Sequence, residues 1–184
     1  MGKTGARELN YSSDIDLICL FEAKRFERDA LFRARDGYIR AVRRCTQTLS
    51  QQTAEGYVFR TDLRLRPDAA VAPIVLAQSV AEAYYESVGR PWDRAAYIKA
   101  RAAAGDRAAG ERFLAALTPF IWRRHLDFAA IEDAHDILRK IRDHRGLQGP
   151  ISLPGHDMKL GRGGLREIEF FVQPRQLISG GRDP

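Results

Sequence analysis

Apolar and polar residues alternate most regularly over Tyr57-Val-Phe-Arg-Thr-Asp-Leu-Arg-Leu-Arg66, a run closed by Pro67 and Asp68. A period of two is that of a strand, whose successive side chains point to opposite faces. It sets Phe59, Thr61, Leu63 and Leu65 on one face, and Val58, Arg60, Asp62, Arg64 and Arg66 on the other. The segment from Ser12 to Phe21 starts polar and turns apolar, which predicts a strand over about 15–21 that enters a core from a sheet edge. A further extended piece is expected at Pro73-Ile-Val-Leu76.

Between these strands the spacing changes to three and four. Ile39, Val42, Cys45 and Leu49 form one stripe, which predicts one long helix or two over about 28–52 with that face against the sheet. From Ser79 the pattern is helical to the end: about 79–88, 91–104, 107–117, 119–126 and 128–144, separated by Gly89-Arg-Pro91, Gly105-Asp106 and Thr118-Pro119. Residues 146–155 form a Gly/Pro-rich connection, and Lys159 to Gly164 leads into a last helix at about 165–179. Pro174 should kink that helix or end it early. The expected organisation is an α/β (α+β) core over 1–77, followed by a helical subdomain over 78–184.

Composition narrows the function classes only slightly. The 184 residues are 45% hydrophobic and 29% charged, the balance of an ordinary globular chain. No run approaches the roughly 18 apolar residues of a membrane span, so no membrane association and a cytoplasmic location are expected. Cys19 and Cys45 lack metal-ligand spacing and read as core filler. The formal charge of +6 admits a polyanionic partner or a phosphate-bearing substrate. Acids interleave with the bases (Phe26-Glu-Arg-Asp29, Asp136-Ile-Leu-Arg-Lys140), which favours solvated helix faces over a nucleic-acid stripe.

Three carboxylates carry the chemistry. Asp14 and Asp16 are two apart in a strand and project to one side, as befits gripping a hard divalent cation, and Asp62 on a second strand offers a third carboxylate beside them. Alone, an Asp-x-Asp pair more often marks a solvated strand start. Here Gly2, Lys3 and Gly5 stand about ten residues upstream, in a small-residue turn whose amides can approach a triphosphate. Arg64 and Arg66 share the Asp62 face, to bind phosphate or to pair with the acid. Lys159, Arg162, Gly163 and Gly164 precede a helix, whose first turn accepts anions. Glu167 and Glu169 suit capping and pairing with Arg166, and Lys99, Arg101, Trp92 and Tyr97 suit an aromatic cluster with a basic rim. His125, His135, His144 and His156 are scattered and carry no assignment.

A glycine turn, Asp-x-Asp and a later third Asp resemble the DNA polymerase β-like nucleotidyltransferases. Within that superfamily, Gly2 to Asp16, Thr61-Asp-Leu-Arg-Leu-Arg-Pro67, Tyr84 to Arg94, Lys99 to Asp106 and Lys159 to Gln173 are similar to the signatures of the glutamine synthetase adenylyltransferases. The resemblance covers almost the whole chain in order. It implies a small mixed sheet whose N-terminal strand is missing from this chain, and a Gly-rich phosphate loop at 159–164. It also implies Mg²⁺ held by Asp14, Asp16 and Asp62, with nucleotide and phosphate bound by Gly2, Lys3, Ser13, Arg64, Arg66, Lys159, Arg162, Gly163 and Gly164. Ala6, where the family usually has glycine, and Pro174 depart from the pattern.

Family members join two nucleotidyltransferase domains, one adding AMP to a tyrosine of glutamine synthetase and the other removing it by phosphorolysis. The Gly-Lys form of the first turn and the stretch from Lys159 to Gln173 resemble the removing half. The expected products are ADP and unmodified glutamine synthetase, with phosphate and ATP/ADP as small ligands and a PII-type signalling protein as regulator. The alternatives are ATP-dependent adenylylation, a non-catalytic fragment that binds glutamine synthetase or a PII protein, and an RNA-directed nucleotidyltransferase. The last is disfavoured because no patch of bases interleaved with exposed aromatics occurs on the helical part, so no nucleic-acid partner is expected.

Overall fold

The structure, a computed structural model, describes residues 1–122 and 154–181. The predicted helix at 128–144, most of that at 119–126, most of the 146–155 connection, and His125, His135 and His144 lie outside the described residues. The chain divides into two compact units, Met1–Thr118 and Pro119–Pro184. The expected boundary at 77/78 falls inside the first, where a strand passes directly into a helix.

The first unit opens with a single helical turn, α1 (Gly2–Ala6), followed by β1 (Ile15–Asp16), β2 (Cys19–Phe21), α2 (Arg28–Ser50), β3 (Thr61–Asp62) and β4 (Val75–Ala77). Three helices complete the series: α3 (Gln78–Ser87), α4 (Pro91–Tyr97) and α5 (Arg107–Ile121), the last running past the division between units. The strand expected over 15–21 is broken at Leu17 and Ile18 into two pieces with different partners. β1 pairs with β3, and β2 with β4, both in parallel. The expected mixed sheet is thus two short parallel ladders, with no antiparallel ladder among the described residues. Parallel neighbours need a long crossover, and α2 supplies it, packing on β2, β3 and β4.

The alternating run at 57–66 becomes a strand only at Thr61 and Asp62. Before it, the amides of Val58 and Phe59 both donate to the Leu49 carbonyl, which ties the run to the end of α2. After it, the Arg66 guanidinium gathers the carbonyls of Leu63, Ala69, Ala72 and Pro73 at 2.7 to 3.3 Å, winding 63–73 into turns. One cation satisfies carbonyls that a ladder would otherwise have paired, so side-chain chemistry overrides the strand pattern.

The core of this unit lies around β2, β4 and the helices that follow. Val75, Ala81, Tyr85 and Leu117 are essentially sealed, with Ile15, Phe21, Leu76, Tyr97, Ala109 and Phe113 around them. Each large side chain so buried contributes about 1.5–3 kcal/mol. Phe21, Phe26 and Tyr38 meet at ring separations of 5.4 to 6.5 Å and pin the first half of α2 to β2. The predicted inner stripe of α2 holds at Ile39, Val42 and Leu49, which are partly covered, but Cys45 is exposed and is not core filler. Cys19 fits that reading better: it is half-buried, and burial raises its thiol pKa.

Two helix ends also differ from the pattern. α4 stops at Tyr97 rather than near 104, freeing residues 98–106 for contacts made elsewhere. α5 continues through Pro119 to Ile121, where Thr118-Pro119 had suggested a break.

In the second unit, α6 (Leu165–Gly180) runs through Pro174 rather than ending early there. Its last turn is packed, with Leu177 buried and Gly180 so close to the Trp122 ring that a Cβ there would lie 2.5 Å from it. Such packing offsets the hydrogen bond that proline removes. Among the described residues no helix is long and apolar enough to cross a membrane.

Candidate active site

The register of β1 and β3 places Ile15 opposite Thr61 and Asp16 opposite Asp62. Residues in register on parallel strands send their side chains to the same face, so Asp16 and Asp62 meet on one face of the ladder. Among the bonds that fasten this ladder, the amides of Ile15 and Leu17 donate to the carbonyls of Arg60 and Asp62, both at 2.8 Å. Asp14 immediately precedes β1. Asp14 and Asp62 line an open cavity of about 460 Å³ together with Thr46 of α2, Arg60, Thr61, Leu63 and Arg64.

Arginines hold Asp14 and Asp62. Arg60 Nε lies 2.7 Å from Asp14 Oδ1, and its other end donates to the Ser12 carbonyl. Arg64 grips Asp62 through Nε at 2.9 and 3.0 Å and through Nη2 at 2.5 Å, while its backbone amide donates to the same carboxylate at 2.8 Å. The Arg64 side-chain bonds hold the Asp62 carboxyl below its ordinary pKa, against the opposing effect of its partial burial. Arg60 was not among the sequence candidates, although its place on the Asp62 face was the available signal. Thr46 had no such signal, since it reaches the cavity only through the docking of α2.

The glycine turn lies directly behind β1. Gly2 adopts φ +51°, a backbone shape that favours glycine, and a Cβ there would come within 2.5 Å of Asp16 Oδ2 and displace that carboxylate tip. The Met1 amine donates to the Asp16 carbonyl at 2.9 Å. Lys3 Nζ donates to Asn10 Oδ1 at 3.3 Å, and Ser13 Oγ donates to the same oxygen. Lys3 and Ser13 therefore brace the loop between α1 and β1.

Arg66 is a correction to the site as read from sequence. It leaves the carboxylate face because the strand ends at Asp62, and its guanidinium is committed to the turn carbonyls described above.

The candidates at 159–164 belong to the second unit. Asp157 caps this turn, its Oδ1 accepting from the amides of Lys159 and Leu160 at 2.9 Å each. The Gly163 amide donates to Glu167 Oε2 at 3.0 Å, so the chain's own carboxylate occupies a donor expected to face phosphate. Arg166 pairs with Glu169 at 3.7 Å, and His156 Nε2 meets the Arg162 carbonyl at 3.1 Å.

Among the described residues, no three His, Cys, Asp or Glu side chains close on one point as a ready metal centre. The donor chemistry at the cavity wall nonetheless suits a hard cation: the carboxylates of Asp14 and Asp62 with the hydroxyls of Thr46 and Thr61, while Asp16 stands opposite Asp62 in the ladder but does not line the cavity.

The chain is similar to known proteins along its whole length. The description "Glutamate-ammonia ligase adenylyltransferase" matches residues 1–116, and "GlnD PII-uridylyltransferase" matches residues 131–184. The whole chain is 55% identical to the bifunctional glutamine synthetase adenylyltransferase/adenylyl-removing enzyme of Agrobacterium fabrum, covering 18% of that protein. It is 54% and 53% identical, again over all of its length, to the proteins of the same description from Rhizobium meliloti and Brucella suis, covering 19% of each. The chain thus spans about a fifth of the length of these curated relatives. The match over residues 1–116 takes in α1, both ladders and all three carboxylates, and by it the chain belongs to the glutamate-ammonia ligase adenylyltransferase family.

Proposed function

We propose that the chain carries the adenylyl-removing chemistry: phosphorolysis of AMP-tyrosine on glutamine synthetase, giving ADP and the unmodified enzyme. The carrying observation is the parallel register that sets Asp16 beside Asp62, with Asp14 on the adjoining cavity. An oxygen of inorganic phosphate attacks the AMP phosphorus in line. The bond from phosphorus to the tyrosine oxygen breaks, and the phenolate takes a proton from solvent. No side-chain nucleophile is needed.

Asp14, Asp16 and Asp62 would hold Mg²⁺, which when bound supplies positive charge at the phosphate oxygens and the leaving phenolate. Arg60 and Arg64 are the cations of this face, with side chains 56% and 84% exposed. Both can turn from carboxylate to phosphate oxygens, the recognition for which a guanidinium fork is suited. Gly2, Lys3 and Ser13 shape the turn behind Asp16, and Lys159, Arg162, Gly163 and Gly164 are assigned to phosphate through the family motif alone. Glutamine synthetase is the protein substrate in this reading, and a PII-type protein the regulator.

Removal is favoured over addition by the Gly2-Lys3 form of the turn. The relatives' description carries both activities, so ATP-dependent adenylylation is the second reading. The test follows ADP formation from adenylylated glutamine synthetase, Mg²⁺ and phosphate, with an Asp14→Asn, Asp16→Asn variant alongside. Phosphate-dependent ADP that falls at least about 100-fold in the variant is expected, since removing electrostatic stabilisation of this kind costs orders of magnitude. AMP-tyrosine formed from ATP and unmodified enzyme, with no ADP released in the phosphorolysis assay, would show that the reaction runs the other way.

A further inference from the structure

The residues after α4 reach back to the turn before β1. Arg101 Nε donates to the Gly5 carbonyl at 3.2 Å and Nη2 to the Thr4 carbonyl at 3.0 Å, across more than ninety residues of chain. Lys99 Nζ pairs with Glu8 Oε2 at 2.9 Å, just beyond the same turn. Gly5 is pressed so closely on this segment that a Cβ would lie 1.7 Å from the Lys99 carbonyl oxygen. At its other end, α1 meets β1 through Gly2, which abuts the Asp16 carboxylate. A continuous path of contact therefore runs from Arg101, through five residues of α1, to one of the three carboxylates.

We propose that Arg101 is a positioning residue: by fastening the last carbonyls of α1 it fixes Gly2 against Asp16, and so sets where that carboxylate stands relative to Asp62. A one-turn helix has no stability of its own. The Thr4 carbonyl otherwise accepts a long bond of 3.4 Å from the Arg7 amide, and a partly buried guanidinium that binds the Thr4 and Gly5 carbonyls at once supplies charge-assisted bonds that a lysine could not match in geometry. The proposal rests on the reading of the carboxylates as the cation-binding site.

The test compares the wild-type chain with Arg101→Gln, Arg101→Lys and Asp16→Asn by two measurements. Amide hydrogen exchange reports on α1 through Gly5, Arg7 and Glu8, whose amides bond within the turn. Mn²⁺ binding, followed by electron paramagnetic resonance, reports on the carboxylates. Arg101→Gln is expected to speed exchange at those amides and weaken Mn²⁺ by on the order of tenfold, while Cys19 to Phe21 and Val75 to Ala77 stay protected. Arg101→Lys should fall between. Unchanged α1 exchange with unchanged Mn²⁺ affinity overturns the proposal, and so does equal loosening of both ladders, which marks general structural support. If wild type binds no Mn²⁺, or Asp16→Asn binds it equally well, the reading of the carboxylates fails, and with it the positioning role; α1 exchange then shows only whether the clamp exists.

Discussion

Asp62 is the residue whose surroundings can be most directly titrated. Its folded pKa is depressed, chiefly by the Arg64 side chain, so its contribution to stability is fully present above the ordinary aspartate value of about 3.9 and fades as pH falls through the lower folded value. The difference in unfolding free energy between wild type and Asp62→Asn should therefore be flat from neutral pH to about pH 5 and shrink below about pH 4. Urea denaturation at a series of pH values measures this. A difference that stays constant down to the acid limit would show that Arg64 does not hold the carboxylate in solution. The neighbouring arginine, Arg66, shows how unlike roles arise two residues apart. Arg64 remains beside the ladder, whereas Arg66 lies beyond its end and is absorbed into the turn.

At the scale of elements, the lesson concerns what alternation can and cannot say. The helices at 78–87 and 28–50 and the strand at 75–77 follow closely from their patterns. The pairing of Asp16 with Asp62 was likewise legible, because side-chain period and motif order both pointed to one face. The remainder of 57–66 was not, since Arg66 and the Leu49 carbonyl compete for its backbone, and neither contact leaves a periodic trace. α4 ended early for a related reason: Lys99 and Arg101 serve α1 instead of extending a helix. The contact at Gly5 gives this a sharp test. Gly5→Ala places a methyl against the rigid Lys99 carbonyl, not a flexible side chain. It should cost about 1–3 kcal/mol as an overpacking substitution, read from thermal or urea unfolding; Gly37→Ala, where nothing lies within 4 Å, is the control and should be neutral or stabilising.

Across the whole molecule, two independent divisions coincide closely. The compact units part at Thr118, and the two family descriptions end at residue 116 and begin at residue 131. All three carboxylates fall in the first unit, and the motif at 159–164 in the second. The ladder that carries the carboxylates is also unlike the one in the core. β2 and β4 are three residues each, with Val75 and Leu76 buried, whereas β1 and β3 are only two residues each.

That brevity would make the proposed site a latch as well as a reaction centre. Asp16 and Asp62 stand on separate strands, so a ligand that engages both is also a cross-brace, and its binding energy is spent partly on keeping the ladder shut. Occupancy then becomes visible as local rigidity. A ligand that binds only the closed ladder, at about 100 times its Kd, adds close to 2.7 kcal/mol to the cost of opening it, which slows exchange of the Ile15 and Leu17 amides by about a hundredfold. The β2–β4 amides should barely respond, because their opening was never the limiting event; a uniform slowing in both ladders would mean that they open as one. Where two strands meet for only two residues, filling the site and finishing the fold are the same act.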